Sequence, residues 1–434
     1  MLISGWGRYP VIESHLITPI TNENASQQIY SGKHKKIIPR GMGRSYGDSA
    51  LASHVLSSSY LNHILEFNEK TGVVRCQSGV TLDDLIKIFL PRGWFLNVTP
   101  GTRYISIGGA IASDVHGKNH HNDGCFSAYV KSISLLLADG NIVNCSHNEN
   151  KELFYATCGG MGLTGLILEA EIFLKSVNSS YIDETIIKAS NIDHALELFD
   201  EYDSSTYSVA WIDCLSSGKK LGRSLLMLGE HSQNGGFKMS DKKKLSIPVD
   251  MPSSLLNRYS VTAFNTLYYH RIRQSMIKHQ VHYEPFFYPL DSILDWNRLY
   301  GKKGFTQYQF VIPREAGKQG MTDILNRISA SKRGSFLAVL KAFGESNKNY
   351  LSFPLKGYTL ALDFKIDKQL FHFLDELDKI VLDYGGRIYL TKDVRLHETA
   401  FKKSYPEWMA FMEVREKYHA SGTFNSLQSE RLGI

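Results

Sequence analysis

The sequence predicts an α+β fold of two domains, the second built on a mostly antiparallel sheet. Three observations predict it. The chain has 434 residues, more than one ordinary core accommodates. From Lys175 to about Gly386, strand patterns follow one another with few helices between them long enough for parallel crossovers. Near Lys175–Ser180 the composition also changes: glycine thins out and aromatics rise. The bulk numbers are globular, with 43% hydrophobic and 21% charged residues and a net charge of +6. No Lys/Arg stripe with interleaved aromatics recurs, which excludes a nucleic-acid binder. Cys76, Cys125, Cys145, Cys158 and Cys214 have no short paired spacing, against a zinc ribbon or a disulfide framework. That usage fits a reducing compartment. There is no apolar run of about 18 residues and no signal-peptide pattern, so a cytoplasmic protein without a spanning segment is expected.

The elements read as follows. After Gly5-Trp6-Gly7-Arg8 and a polar loop-and-helix region, Lys35–Ile38 reads as a short strand. It feeds a glycine-rich turn, Pro39 to Asp48, where phosphate loops occur; Tyr46 stands where a dinucleotide fingerprint needs its third glycine. Ile64–Phe67 and Val73–Cys76 form a hairpin signal around Asn68–Gly72. Thr81 caps a helix carrying Leu82, Leu85, Ile86 and Phe89, which Pro91 and Gly93 stop. Ser132–Ala138 is a strand turning at Asp139-Gly140 into Asn141–Asn144. Gly160-Met161-Gly162-Leu163-Thr164-Gly165 is a literal G-x-G-x-x-G, yet it follows a helix pattern and precedes a strand. A turn against a ligand fits this order better than a Rossmann loop, which needs strand before and helix after. Further on, Val209–Asp213, Ser224–Leu228, Phe305–Ile312, Phe336–Phe343 and Tyr358–Ile366 read as strands, and Asp193–Tyr202 and Gln369–Tyr384 as helices. Arg387–Thr391 reads as a strand delivering Lys392 and Asp393, and Pro406 starts a final helix. Gly229–Ser246, with Lys242–Lys244, reads as a mobile loop. Arg271–His282 is a second basic stretch, read either as solvated surface or as a patch meeting anionic lipid head groups.

The stretch Thr99–Gly124 organises the rest. It holds five glycines, three histidines and a lysine, with small residues dominant from Ser106 to Ser113. Such backbone can lie against a flat ring system, and its N–H groups can point at an anion; FAD is the ligand expected there. His116, His120 and His121 also raise a metal site, but no carboxylate or thiolate stands at motif distance, and none is assigned.

These segments resemble the vanillyl-alcohol-oxidase class of flavoproteins and, within it, the decaprenylphosphoryl-β-D-ribose 2′-oxidase family of arabinan precursor synthesis. The matching pieces run in the family's order from Gly5–Arg8 through Arg40–Asp48, Pro100–Thr102, Gly108–His121, Gly159–Gly165, Gln307–Phe310 and Lys341–Gly344 to Tyr389–Arg395. The resemblance implies a two-subdomain PCMH-type FAD-binding domain from residues 1–177 and 387–434, with a substrate domain, 178–386, inserted. It implies non-covalent FAD, because Arg44 stands where covalently linked relatives carry a histidine. The implied cofactor contacts are Arg40, Gly41, Met42, Gly43, Arg44, Ser45, Gly101, Thr102, Gly108, Gly109, Ser113, His116, Gly117, Asn119, His120, Gly124, Gly162, Gly165 and Lys392. The implied substrate contacts are Trp211, Gln307, Gln309, Lys341, Phe343 and Thr359; Lys392, His116 and Tyr46 are the implied catalytic residues. In one pocket segment the family pattern Gly-Trp-Asn-x-Cys is replaced by Gly357-Tyr358-Thr359-Leu360-Ala361. Threonine for asparagine changes a hydrogen-bonding group, and alanine for cysteine adds room.

The chemistry implied is hydride transfer from a sugar C–H to flavin N5. Lys392 then accepts the hydroxyl proton if burial lowers its pKa, or stabilises the alkoxide as a fixed charge; the plain alternative is a surface lysine paired with Asp393. The expected substrate is a polyprenyl-phosphate-linked pentose oxidised at its 2′-hydroxyl. A short-chain dehydrogenase/reductase would complete the epimerisation, with a quinone or another electron acceptor. Peripheral attachment to an anionic inner membrane face is expected. The competing readings are a flavin oxidase of soluble alditols or aldonolactones and a flavin-free sugar-binding protein.

Overall fold

A computed structural model describes residues 1–30, 36–238, 245–252 and 255–434. The expected strand start at Lys35 and residues 239–244 of the polar loop, with the run Lys242–Lys244, lie outside the described residues. Among the described residues a three-stranded, a six-stranded and an eight-stranded sheet, with two two-stranded pairs, make up the sheets of the α+β architecture, the largest lying between helices and a ligand-sized cavity.

Near the N-terminus, His15–Ile17, His54–Ser57 and Ile37–Arg40 form a three-stranded parallel sheet in that spatial order. The C-terminal segment returns to it: Ile37 N–H donates to Thr423 O, and Asn425 N–H to Ile37 O. An antiparallel sheet follows in the order Ile142–Ser146, Val130–Leu136, Leu166–Ser176, Val73–Gln77, Ile64–Asn68, with Trp94–Leu96 along the end of Leu166–Ser176. The helix Leu82–Phe89 carries the expected capping box, Thr81 and Asp84 satisfying each other's backbone N–H.

The third sheet has eight strands, every neighbouring pair antiparallel: Met276–His282, Tyr181–Ala189, Ser224–His231, Tyr207–Ile212, Ala338–Phe343, Gly357–Lys365, Phe305–Pro313, Arg387–Ile388. Its side chains alternate strictly. Tyr308, Phe310, Ile312, Leu340, Leu360 and Leu362 pack with Met321, Leu325, Leu377 and Val381 of the helices Gly317–Ser331 and Leu370–Asp383. Each such side chain contributes roughly 1.5–3 kcal/mol when fully buried. A one-residue slip would drive Gln307 and Gln309 into that core, so the register is fixed, and with it the polar face opposite.

Several expectations need correction. Arg387–Thr391 is a strand only at Arg387–Ile388. Beyond it Tyr389 N–H still reaches Gln309 O, but Lys392 N–H turns back to Tyr389 O, closing a 3₁₀ turn over Leu390–Lys392. The helix after Pro406, Trp408–Lys417, is followed by another, Leu427–Leu432. Within the expected mobile loop, Gly229–His231 completes a strand, and Leu245–Ser246 pairs with Ile293–Leu294. The basic stretch contains the edge strand Met276–His282, and the helix before it, Arg258–His270, has no single apolar stripe to announce it.

Candidate active site

The face of the eight-stranded sheet away from its helices closes a cavity of about 1580 Å³ against the N-terminal region. That exceeds the ~300–1,000 Å³ of an ordinary ligand pocket, so it has room for a cofactor and a second ligand. The strands set the floor by their period of two. Gln309 lies opposite Ala361, Lys341 opposite Thr359 and Trp211 opposite Val339, all on the cavity side.

The loop after Ile37–Arg40 forms one wall. The N–H groups of Gly41, Met42, Gly43, Arg44 and Ser45 have no hydrogen-bond acceptor among the described residues, and all five residues border the cavity. Unpaired backbone donors around a hollow suit a pyrophosphate. Gly43 has φ +62°, and a Cβ on Gly41 would lie 2.1 Å from Ser106 Oγ, so this loop can press against the helix Ile107–Ala112 only as glycine. Arg40 does not reach into the hollow as a free cation: its guanidinium donates to Ser4 O (2.7 Å) and Ala50 O (3.2 Å). Arg44 lies over the Trp6 ring, 4.1 Å from its centroid. The Gly108 and Gly109 N–H groups, expected to face phosphate, are already bonded to Ser78 O and Ser106 Oγ. What those glycines offer is close approach of backbone. These features fit FAD.

Gln309 links the two walls. Its amide Nε2 donates to His116 Nε2 (3.0 Å) and to Thr359 Oγ1 (3.3 Å), and the Thr359 hydroxyl donates to Phe310 O (2.7 Å). Thr359 therefore holds Gln309 rather than offering a free donor to a ligand. His116 is buried among Phe343, Phe353 and Tyr389, and burial with Lys341 nearby holds its pKa well below the usual histidine range. With Nε2 accepting from the Gln309 amide, the neutral ring would carry its proton on Nδ1, which has no hydrogen-bond partner among the described residues.

Lys392 sits with Nζ 4.0 Å from the centroid of the Tyr46 ring. Burial pulls its pKa down to about 7; the Asp363 carboxylate raises it and Lys341 lowers it. It is not paired with Asp393, whose carboxylate takes Arg431 (3.0 Å) and the backbone N–H groups of Arg395 and Leu396. Burial raises the Tyr46 hydroxyl well above 10, so it stays protonated. Lys341 is lowered to about 8 and Lys118 to about 7, both by burial.

Of the residues expected at the site, Gly117, Asn119, His120, Gly124 and Phe343 do not border the cavity; the rest do. Asn119 donates to Asn97 O and Asp123, His120 Nδ1 accepts the Gly344 N–H (3.2 Å), and Phe343 packs on His116 at 4.8 Å. These support the site from behind. The three motif histidines take different partners, His121 Nε2 lying 2.8 Å from Ser205 O. Two residues were missed. Asp363, buried and within electrostatic reach of Lys392, has its carboxyl pushed up to about 7 by burial and accepts from Gln307 Nε2 (2.7 Å) and the Tyr300 hydroxyl (3.3 Å). Its signal was available: it continues the Thr359, Ala361 face at period two. Lys118 had no such signal beyond its place in the histidine motif.

A model described as an FAD binding domain matches residues 24–146. The decaprenylphosphoryl-β-D-ribose oxidase of Mycolicibacterium smegmatis is 36% identical, covering 100% of this chain and 97% of that protein. The L-gulono-1,4-lactone dehydrogenase of Mycobacterium tuberculosis is 21% identical over 97% of this chain and 96% of its own. The human Δ24-sterol reductase is 34% identical over only 26% of this chain and 22% of its own.

Proposed function

The chain belongs to the decaprenylphosphoryl-β-D-ribose oxidase family of FAD-dependent oxidoreductases, and from that premise we propose that it oxidises the 2′-hydroxyl of a ribose-like pentose carried on a polyprenyl phosphate. One observation carries the substrate class. The cavity lining includes, besides Lys392 and Gln309, Ile186, Met227, Phe264, Ile277 and the exposed Leu255, apolar surface that a free sugar does not need, with Glu184, Arg271 and His279 beside it. The product is a 2-keto sugar, which a partner reductase of the short-chain type converts to the epimer; a quinone or another acceptor reoxidises the cofactor. In this reading 1–177 with 387–434 holds FAD, bound non-covalently, and 178–386 supplies the substrate floor. Among the described residues no helix is long and apolar enough to cross a membrane; the lipid substrate is met by peripheral attachment.

Bound FAD supplies the two-electron acceptor for the hydride leaving the alcohol carbon. The chain's residues handle the proton and the geometry. A lysine at its ordinary value near 10.4 is a poor base at neutral pH; lowered to about 7, Lys392 has a neutral fraction able to take the hydroxyl proton. The resulting ammonium is stabilised by the Tyr46 ring face and by Asp363. Gln309, fixed by His116 and Thr359, and Lys341 hold the neighbouring sugar oxygens.

The similarity to a lactone dehydrogenase over nearly the whole chain favours a second reading, oxidation of soluble alditols or aldonolactones. One experiment separates them: anaerobic mixing with polyprenyl-phosphate ribose, and separately with free lactones and alditols, following loss of the flavin's visible absorbance. Bleaching by the lipid-linked sugar alone supports the first; bleaching by lactones alone overturns it.

A further inference from the structure

The cavity lining includes two exposed apolar residues at the helix Arg258–His270, Phe264 on the helix and Leu255 just ahead of it. That helix buries Val261 and Asn265 inward. On its other side Tyr259 is 81% exposed, Leu267 74% and Phe264 42%, and Leu255 just ahead of it is 46% exposed. Phe264 and Leu255 also line the cavity, so the exposed apolar surface and the cavity lining are continuous. Isolated exposed apolar residues are ordinary; a contiguous rim around an apolar opening is not.

Within this segment of the chain the charge has one sign, while Glu184, Asp291 and Asp295 of other elements line the cavity beside it. From Met251 to Tyr283 the chain has no aspartate or glutamate, but it has Arg258, Arg271, Arg273 and Lys278. All four are exposed. Carboxylates do face the edge strand Met276–His282 from its neighbour Tyr181–Ala189, and they are engaged: Glu184 with His279 (3.0 Å), Asp183 with the Gln280 amide (3.5 Å). Exposed apolar side chains flanked by Arg258 and Arg273 match an anionic bilayer surface, where acyl chains take the former and head groups the latter.

We propose that this helix is a membrane-entry face: Tyr259, Phe264 and Leu267 insert among lipid acyl chains, and Arg258 and Arg273, with Arg271 at the cavity mouth, meet anionic head groups. The cavity then opens into the bilayer, and the tail of a lipid-linked substrate passes into it without crossing water. This last step rests on the substrate class proposed above; the docking face does not.

The test is flotation of the holoenzyme with vesicles of phosphatidylcholine containing phosphatidylglycerol, and with phosphatidylcholine alone. The wild type floats with the anionic vesicles at low salt and dissociates as salt rises. Tyr259→Ser/Leu267→Asp and, separately, Arg273→Glu float at least tenfold less. Both keep the yellow colour and the parent rate of flavin bleaching by a short-tailed soluble substrate, but lose rate on a long-tailed substrate held in vesicles. Wild type that stays in solution at low salt, binding that appears only with a second protein, or variants that float like the parent would each overturn the proposal. Normal flotation with no bleaching by any polyprenyl-phosphate pentose upholds the docking face and overturns the substrate class.

Discussion

Lys392 combines two properties that separate experimentally, a lowered pKa and a place against the Tyr46 ring. If its neutral form takes the proton, the rate of flavin reduction by substrate falls as pH drops below about 7 and levels off above it. Lys392→Met should keep its flavin, lose this limb, and reduce kcat by roughly 10²–10³-fold with a smaller change in KM, because the contact strengthens in the transition state. A variant reduced at the parent rate removes Lys392 from the chemistry. Asp363 gives the complementary test. Its negative charge raises the Lys392 pKa, so Asp363→Asn should move the limb to lower pH; a limb that stays in place would refute the coupling. The lysine was legible in the sequence only through resemblance, since one lysine after a short strand has many bland explanations. Asp363 was legible physically, by continuing a strand face, yet a lone aspartate in an apolar strand gives no hint that Gln307 and Tyr300 will satisfy it.

At the scale of elements, the loop Arg40–Ser45 joins sequence to cofactor most directly. Gly41→Ala places a methyl 2.1 Å from the Ser106 hydroxyl, which caps the helix Ile107–Ala112 by accepting the Gly109 N–H. Either the cap or the loop must move, so the variant should purify folded but pale; full colour would show that the loop does not hold the phosphates. Because Arg44 lies on Trp6 and cannot bond a flavin methyl carbon, acid precipitation should release the yellow colour into the supernatant; colour in the pellet would contradict non-covalent binding. The elements most legible in the sequence were those whose signals are local. The hairpin around Asn68–Gly72, the boxed helix after Thr81 and the helix Leu370–Asp383 all appear within a residue or two of expectation. The strand Tyr181–Ala189 was not legible, because Glu184 interrupts its inward apolar face and is satisfied by groups distant in sequence, His279 from the neighbouring strand first, with Lys118 and Arg271. The same holds for Lys392: two residues of ladder look like five when the next three turn on a single bond from Lys392 N–H to Tyr389 O.

For the whole molecule, the question is whether the flavin side and the sheet side are one cooperative unit. The seam between them is closely bonded. Asp114 accepts from Asn347 (2.7 Å), Asn349 (2.8 Å) and Ser352 (2.6 Å); Arg103 pairs with Glu284 (2.5 Å); the Thr99 and Tyr288 hydroxyls meet at 2.6 Å. One apolar cluster also runs through both sides, joining Ile107 and Phe154 to Leu340 and Leu377. Asp114 is the telling member: three of its donors come from the sheet side, and the Ser127 N–H (3.1 Å) from its own. Neither side is therefore expected to persist alone. FAD bound at the seam stabilises only the folded chain, by about 2.7 kcal/mol at a free concentration one hundred times its dissociation constant. Thermal unfolding of flavin-stripped protein should show one transition, whose midpoint climbs by a few degrees with the logarithm of added FAD. Two transitions, of which FAD moves only one, would show that the seam is an interface between independent domains, and the proposal that the site depends on both at once would fall.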